Sequence, residues 1–291
     1  MFEQSEIHQV AEKKGKEDDY RQKIISSLEQ AGINEYPGDE IIERLVLLEK
    51  ESKFNEDARL IERGMANILN LLEERYAKDY PQFAISPKQK NEGRLAAILH
   101  DIGKSGPVQA TEQEQKSIVK LFSREEIKDP QYPVGDMINE SFHANEKEEA
   151  LENLKNCGIS PETTIREFWD KHAQWTHDIL EKYPKGIDSH VRKIAASHHI
   201  DHGINPYNLS ESEIPFEASI IGTLENYVDA LEERILIAVD QYEAIIRRRG
   251  SAHETALACV RQNLHKYRSD QLMIMVFNAL DELGAQGKLF Y

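Results

Sequence analysis

The sequence predicts an all-α fold, a helical bundle with an N-terminal helical extension and a helical insertion. Two observations carry this. Nearly every apolar segment repeats at the 3.6-residue period of a helix, and almost none alternates strictly as a half-buried strand would. The breaks between segments fall at clusters of proline, glycine and small polar residues.

Taken in order, the first 20 residues are dense in charge and predict a frayed start. Residues 21–50 read as two helices packed on the main body, the second carried by EIIERLVLLEK (40–50). Residues 1–50 thus form the extension and 51–291 the main domain. A break at NEYPGDE (34–40) parts the two extension helices. RLIERGMANILNLLEE (59–74) is the next amphipathic stretch, and DYPQFAISPKQKNEG (79–93) separates it from LAAILHDIGKSG (95–106). Residues 111–165 are polar and charge-rich and predict a helical insertion or lid. Further breaks fall at 157–163, 182–189 and 201–215. ERILIAVDQYEAIIRRRG (233–250) predicts a helix with Gly250 as its C-terminal cap.

A chain of 291 residues can bury a core that needs no staples. Its two cysteines, Cys157 and Cys259, form no CxxC pair. That argues against a disulfide framework or a thiolate zinc site and predicts a reducing, cytoplasmic setting. MFEQSEIHQVAEKKGKEDDY (1–20) lacks an apolar signal-peptide region, and no run reaches the ~18 apolar residues of a membrane span. The net charge of −16 weighs against an extended nucleic-acid or membrane partner. A small anionic, phosphate-containing substrate remains open if metal ions supply positive charge locally. A homodimer is also open.

Metal-competent side chains concentrate in four places: His100-Asp101, His172 in FWDKHAQWTHDIL, the pair His198-His199 in SHHIDHG, and Asp240 in RILIAVDQYEAI. Each lies on or at the end of an apolar helical segment, where a buried polar group needs a partner. A carboxylate beside an imidazole can bridge two ions while the histidine binds one. Adjacent helical histidines diverge by ~100° and can address neighbouring ions. Imidazole and carboxylate donors suit Fe, Mn, Zn or Ni. Two ions ~3.5–4 Å apart activate water and clamp an in-line phosphoryl displacement. Lys104, three residues after Asp101, can neutralise a phosphate oxygen.

LHDIGK resembles the signature of the HD superfamily of metal-dependent phosphohydrolases. The further segments resemble its HD-GYP branch: WDKHAQWTHDIL for a single ligand histidine at His172, SHHIDHG for a double histidine at His198 and His199, IPFEA (214–218), RILIAVDQYEAI for a ligand aspartate at Asp240, and SAHETAL (251–257). The resemblance covers roughly residues 51–285 with gaps. It implies an all-α bundle with two or three divalent ions, Fe or Mn foremost. It also implies hydrolysis of a phosphodiester in a nucleotide or a cyclic dinucleotide such as cyclic di-GMP. Asp101 and Lys104 are then the catalytic residues, and His100, Asp101, His172, His198, His199 and Asp240 the metal ligands.

Three departures bear on function. Asn205-Pro206-Tyr207 stands where a Gly-Tyr-Pro loop is expected. EASIIGTLENYVDAL imitates the aspartate helix and offers Glu225 or Asp229 as rivals to Asp240. Asp229 and Asp240 lie ~16 Å apart along a straight helix and cannot share one cluster. No histidine lies between His8 and His100, so an upstream ligand falls to a carboxylate. Asp57 fits the pattern, with Ile61, Gly64, Met65 and Ile68 at +4, +7, +8 and +11; Glu56 fits if Arg59 is the matching arginine at +3. The alternatives to a phosphodiesterase are a nucleotide phosphatase that leaves cyclic dinucleotides alone and a catalytically degenerate HD domain that binds or signals.

Overall fold

The computed structural model describes residues 18–123, 129–200, 203–228 and 271–288, with 255, 257–258 and 261–262. The fold is all-α. No strand occurs among the described residues, and one isolated bridge pairs Pro133 with Thr164.

Helix α1 runs through residues 18–30, followed by α2 (Asp39–Ser52) and α3 (Phe54–Tyr76). Helix α4 (Pro87–Leu99) leads into a 3-10 turn, Ile102–Ser105. The insertion contributes α5 (Glu112–Phe122), α6 (Val134–Ser141) and α7 (Lys147–Asn156). Then come α8 (Ile165–Lys182), α9 (Ser189–Ala196), α10 (Phe216–Val228) and α11 (Gln271–Ala285).

Local chemistry sets where these helices begin. Ser86 and Gln89 form a capping box on α4, with Pro87 in the first turn. Thr111 with Glu114 and Thr164 with Glu167 do the same for α5 and α8. The Asp188 side chain accepts from the His190 N–H at the start of α9. Each cap stabilises its helix by about 1 kcal/mol. Between α2 and α3 a single residue, Lys53, takes the left-handed conformation at φ 55° and lets the chain change direction.

One core unites the extension and the main body. Leu28 of α1, Leu45 and Leu48 of α2, and Ile61, Met65 and Ile68 of α3 are all buried in it, together with the apolar faces of α4, α9, α10 and α11. Each such side chain contributes roughly 1.5–3 kcal/mol. The insertion builds a second core of its own. Ile118, Val134, Ile138 and Leu154 close on Phe168 and Trp175 of α8. Cys157 is buried there, and burial, helped by nearby Glu114, pushes its thiol up to about 11, which makes it inert at neutral pH. No helix among the described residues is long and apolar enough to cross a membrane.

Helices α9 and α10 are also joined by an ion pair near the surface, His190 Nε2 to Glu217 Oε2 at 3.5 Å. The Glu217 carboxylate first, then Glu92 and Asp188, raise His190 above the ordinary imidazole value against an opposing effect of burial. A raised folded value means the pair stabilises the fold fully below the unfolded value and loses that effect as pH rises through the folded one. Wild type should therefore exceed His190→Gln in urea midpoint at about pH 6, and the gap should narrow by about pH 9. A gap of constant size would mean that His190 does not titrate against Glu217.

Candidate metal centre

Three segments deliver the site. Helix α4 ends at Leu99, so His100 caps it and Asp101 opens the 3-10 turn. His172 lies in the middle of α8. Helix α9 ends at Ala196, and Ser197, capping it, is followed by His198 and His199 in the ensuing turn. This corrects the expectation that the adjacent histidines diverge on a helix. The Ile200 N–H returns to the Ser197 carbonyl and the Ile204 N–H to the His199 carbonyl, which curls the backbone at this point. Both rings then enter the same cluster, 4.5 Å apart between centroids and at 67°.

The five predicted metal ligands of these segments are buried: His100, Asp101, His172, His198 and His199. The ligand atoms of His172, His198 and His199 lie within 4.8 Å of one another, a group able to hold a metal ion. The His100 and His198 rings stand 5.1 Å apart. Asp101 joins the group through Oδ1, 3.0 Å from His172 Nε2, and through Oδ2, 3.4 Å from His100 Nε2.

The protonation pattern follows from the backbone. Nδ1 of His100 faces the Ala97 carbonyl at 2.8 Å, Nδ1 of His172 the Trp169 carbonyl at 2.5 Å, and Nδ1 of His198 the Ala195 carbonyl at 2.5 Å. A carbonyl can only accept, so each Nδ1 carries a proton, and in the neutral form of each ring Nε2 is a lone pair. Those lone pairs face one another: His172 Nε2 is 3.1 Å from His198 Nε2. Asp101 Oδ1, buried, also faces His172 Nε2 and receives no hydrogen bond from it in this tautomer. Acceptors opposed to acceptors repel unless a cation lies between them. A proton on His172 would satisfy one of these contacts; a metal ion satisfies several together. The carbonyls behind the rings are the outer partners that metal-binding imidazoles ordinarily have. The residues present fit a metal.

Lys104 Nζ lies 2.8 Å from Asp101 Oδ2. Burial raises the Asp101 carboxyl. The Lys104 ammonium, foremost among its neighbours, outweighs that effect, and the carboxyl lies well below the usual carboxylate range.

The turn that carries Asp101 and Lys104 is wedged from two sides. From α8, Thr176 Oγ1 donates to the His100 carbonyl at 2.7 Å and accepts from the Gly103 N–H at 3.1 Å. From α2, the buried Arg44 guanidinium donates to Ser105 Oγ at 2.8 Å and to the carbonyls of Gly106, Pro107 and Val108 at 3.1–3.2 Å. A third close approach seats α10: a Cβ on Gly222 would lie 2.7 Å from the His198 carbonyl. Sequence reading had not singled out Thr176, Arg44 or Gly222. Only Thr176 left a trace, one turn beyond His172 on the same helix face.

The remaining predicted residues are placed as follows. Glu56 and Asp57 are exposed in the first turn of α3, where they complement the helix dipole, and are not part of the histidine group. Buried Glu62, on the same helix, is engaged by Arg94 at 2.5 Å. Asp240 and its rival Asp229 lie outside the described residues, as does the side chain of Glu225. His177 packs edge-on against Tyr207 with centroids 4.6 Å apart, and the Tyr207 hydroxyl donates to Glu181 at 2.5 Å. The Asn205-Pro206-Tyr207 loop is thereby tied to the outer face of α8. Trp175 is buried in the insertion core, and Trp169 packs against it.

No family model matches the chain, and no curated protein or solved structure matches it.

Proposed function

We propose that the chain is a metal-dependent phosphohydrolase of the HD type, hydrolysing a phosphodiester or phosphomonoester of a nucleotide, with cyclic dinucleotides among the candidates. One observation carries the reading: imidazole lone pairs oriented by backbone carbonyls converge on one another and on the ionised Asp101 in a buried site. His100, Asp101, His172, His198 and His199 would hold two or three divalent ions, Fe or Mn, with Asp240 as a further ligand. When bound, the ions supply Lewis-acid polarisation of a phosphate oxygen and activation of water. The chain's own residues hold the donors in place: the Ala97, Trp169 and Ala195 carbonyls fix the tautomers, and burial excludes bulk water. Lys104, beside Asp101, is the positive charge that would meet a phosphate oxygen. The buried, high-pKa thiol of Cys157 fits the reducing cytoplasm expected of this class.

A second reading, metal binding without turnover, is favoured by the exposure of Glu56 and Asp57, which leaves α3 without a ligand in the group. Elemental analysis separates the two. Protein produced with Fe and Mn available should carry about two equivalents or more, lose them in Asp101→Ala, and hydrolyse bis(p-nitrophenyl) phosphate only when loaded. Less than one equivalent, unchanged by the substitution, would sink the catalytic reading.

A further inference from the structure

We propose that Thr176 is a positioning residue that sets the register between the two ligand-bearing segments of the metal centre. The inference rests on the metal reading above and goes beyond it by assigning a role to a residue that is not a ligand.

The argument is geometric. His100 and Asp101 arrive on the end of α4, whereas His172 arrives on α8, which is separated from α4 by the whole insertion. Nothing in local helix geometry brings the two together at 3 Å. Their backbones approach closely at Gly103, where a Cβ would lie 1.9 Å from the His172 carbonyl and 2.6 Å from the Thr176 amide nitrogen. At that seam Thr176 uses its one hydroxyl in both directions. It donates to the carbonyl of the ligand His100 and accepts from the N–H of Gly103, two residues past the ligand Asp101. Thr176 is fully buried, so water cannot take over either bond. Thr176 also lies four residues after His172, one turn along α8, so its attachment to the His100–Gly103 backbone sets how far His172 Nε2 stands from Asp101. Sliding α8 by a fraction of a residue would break both bonds and pull the His172 ring away from the carboxylate at once.

The two bonds are also oriented. The His100 carbonyl can only accept and the Gly103 N–H can only donate, so a hydroxyl fits between them and an apolar group of the same shape does not. Thr176→Val keeps the volume and loses both bonds. Thr176→Ser keeps both bonds and loses a methyl group. If Thr176 acted only through packing, valine would be the milder change; if it positions, serine is.

The test is titration of each full-length protein with Co(II) alone, read by visible absorption, well below its melting temperature. Leu154→Ala in the insertion core serves as a control that lowers stability away from the site. Thr176→Val should bind Co(II) ~10–100-fold more weakly than wild type, with altered d–d bands, while Thr176→Ser and Leu154→Ala stay close to wild type. Should Thr176→Val not fold, Thr176→Ala removes the same two bonds and carries the comparison. A valine or alanine variant that binds Co(II) as tightly as wild type and shows the same spectrum overturns the positioning role and leaves the metal reading intact. A wild-type protein that takes up no Co(II) overturns both.

Discussion

Replacing Gly103 by alanine is expected to lower the melting temperature by roughly 5 °C or more, from a loss of about 3 kcal/mol or more. The new methyl would fall 1.9 Å from the His172 carbonyl, 2.6 Å from the Thr176 amide nitrogen and 2.8 Å from the Thr176 hydroxyl. Two of these are backbone atoms of a packed helix, so no rotamer change relieves the clash. Either the 3-10 turn lifts off α8 or α8 itself shifts. The first breaks the Thr176 bonds to His100 and Gly103, and both separate Asp101 from His172. Thermal unfolding by circular dichroism reads the effect. An unchanged melting temperature would mean that the turn is not seated on α8 in solution.

The second large effect is expected at Arg44. Its guanidinium is buried, and among the described residues no carboxylate pairs with it; four oxygens of Ser105, Gly106, Pro107 and Val108 receive its N–H groups. Burial pulls its pKa below the ordinary arginine value, yet a guanidinium remains charged throughout the working range. Arg44→Met keeps much of the volume and strips donors from the two buried carbonyls of Gly106 and Pro107 and the part-buried one of Val108. Stability should fall by about 3 kcal/mol, seen as a lower urea midpoint with the slope unchanged. Arg44→Lys should recover only part of it, because one ammonium cannot fork to four acceptors spread along a loop. A methionine variant as stable as wild type would show that this loop needs no support from the extension.

Both effects come from the same feature. The HDIGK turn is held between a helix of the extension and a helix beyond the insertion, far apart in sequence. Its first and last residues were readable directly. An apolar helical run that ends in His, Asp and Lys signals chemistry at a helix end, and the structure gathers His100 and Asp101 with His172, His198 and His199 in one buried cluster. The residues that hold the turn were not readable. Thr176 looks like any threonine on an amphipathic helix, and Arg44 looks like an exposed arginine in an acidic helix until the loop folds over it.

The upstream carboxylates show the opposite error. Asp57 matches the apolar spacing of α3 at four positions, yet it is exposed. Spacing alone does not decide burial within a single turn: Phe54 and Asn55 at the start of α3 are buried, whereas Glu56 and Asp57 beside them are exposed. Ala58 and Ile61, one and four residues further on, are buried.

The sequence by itself determined the helical class, the breaks between helices and the histidine-rich segments, because helix period and turn chemistry are local; the one cap it placed, Gly250, lies outside the described residues. Tertiary structure alone decided that the double histidine turns off its helix so that both rings meet His172. It also decided that the insertion has a core of its own. Those outcomes depend on which surfaces meet, and a glycine becomes indispensable, or a threonine bonded on both sides, only once another backbone has come within 3 Å of it.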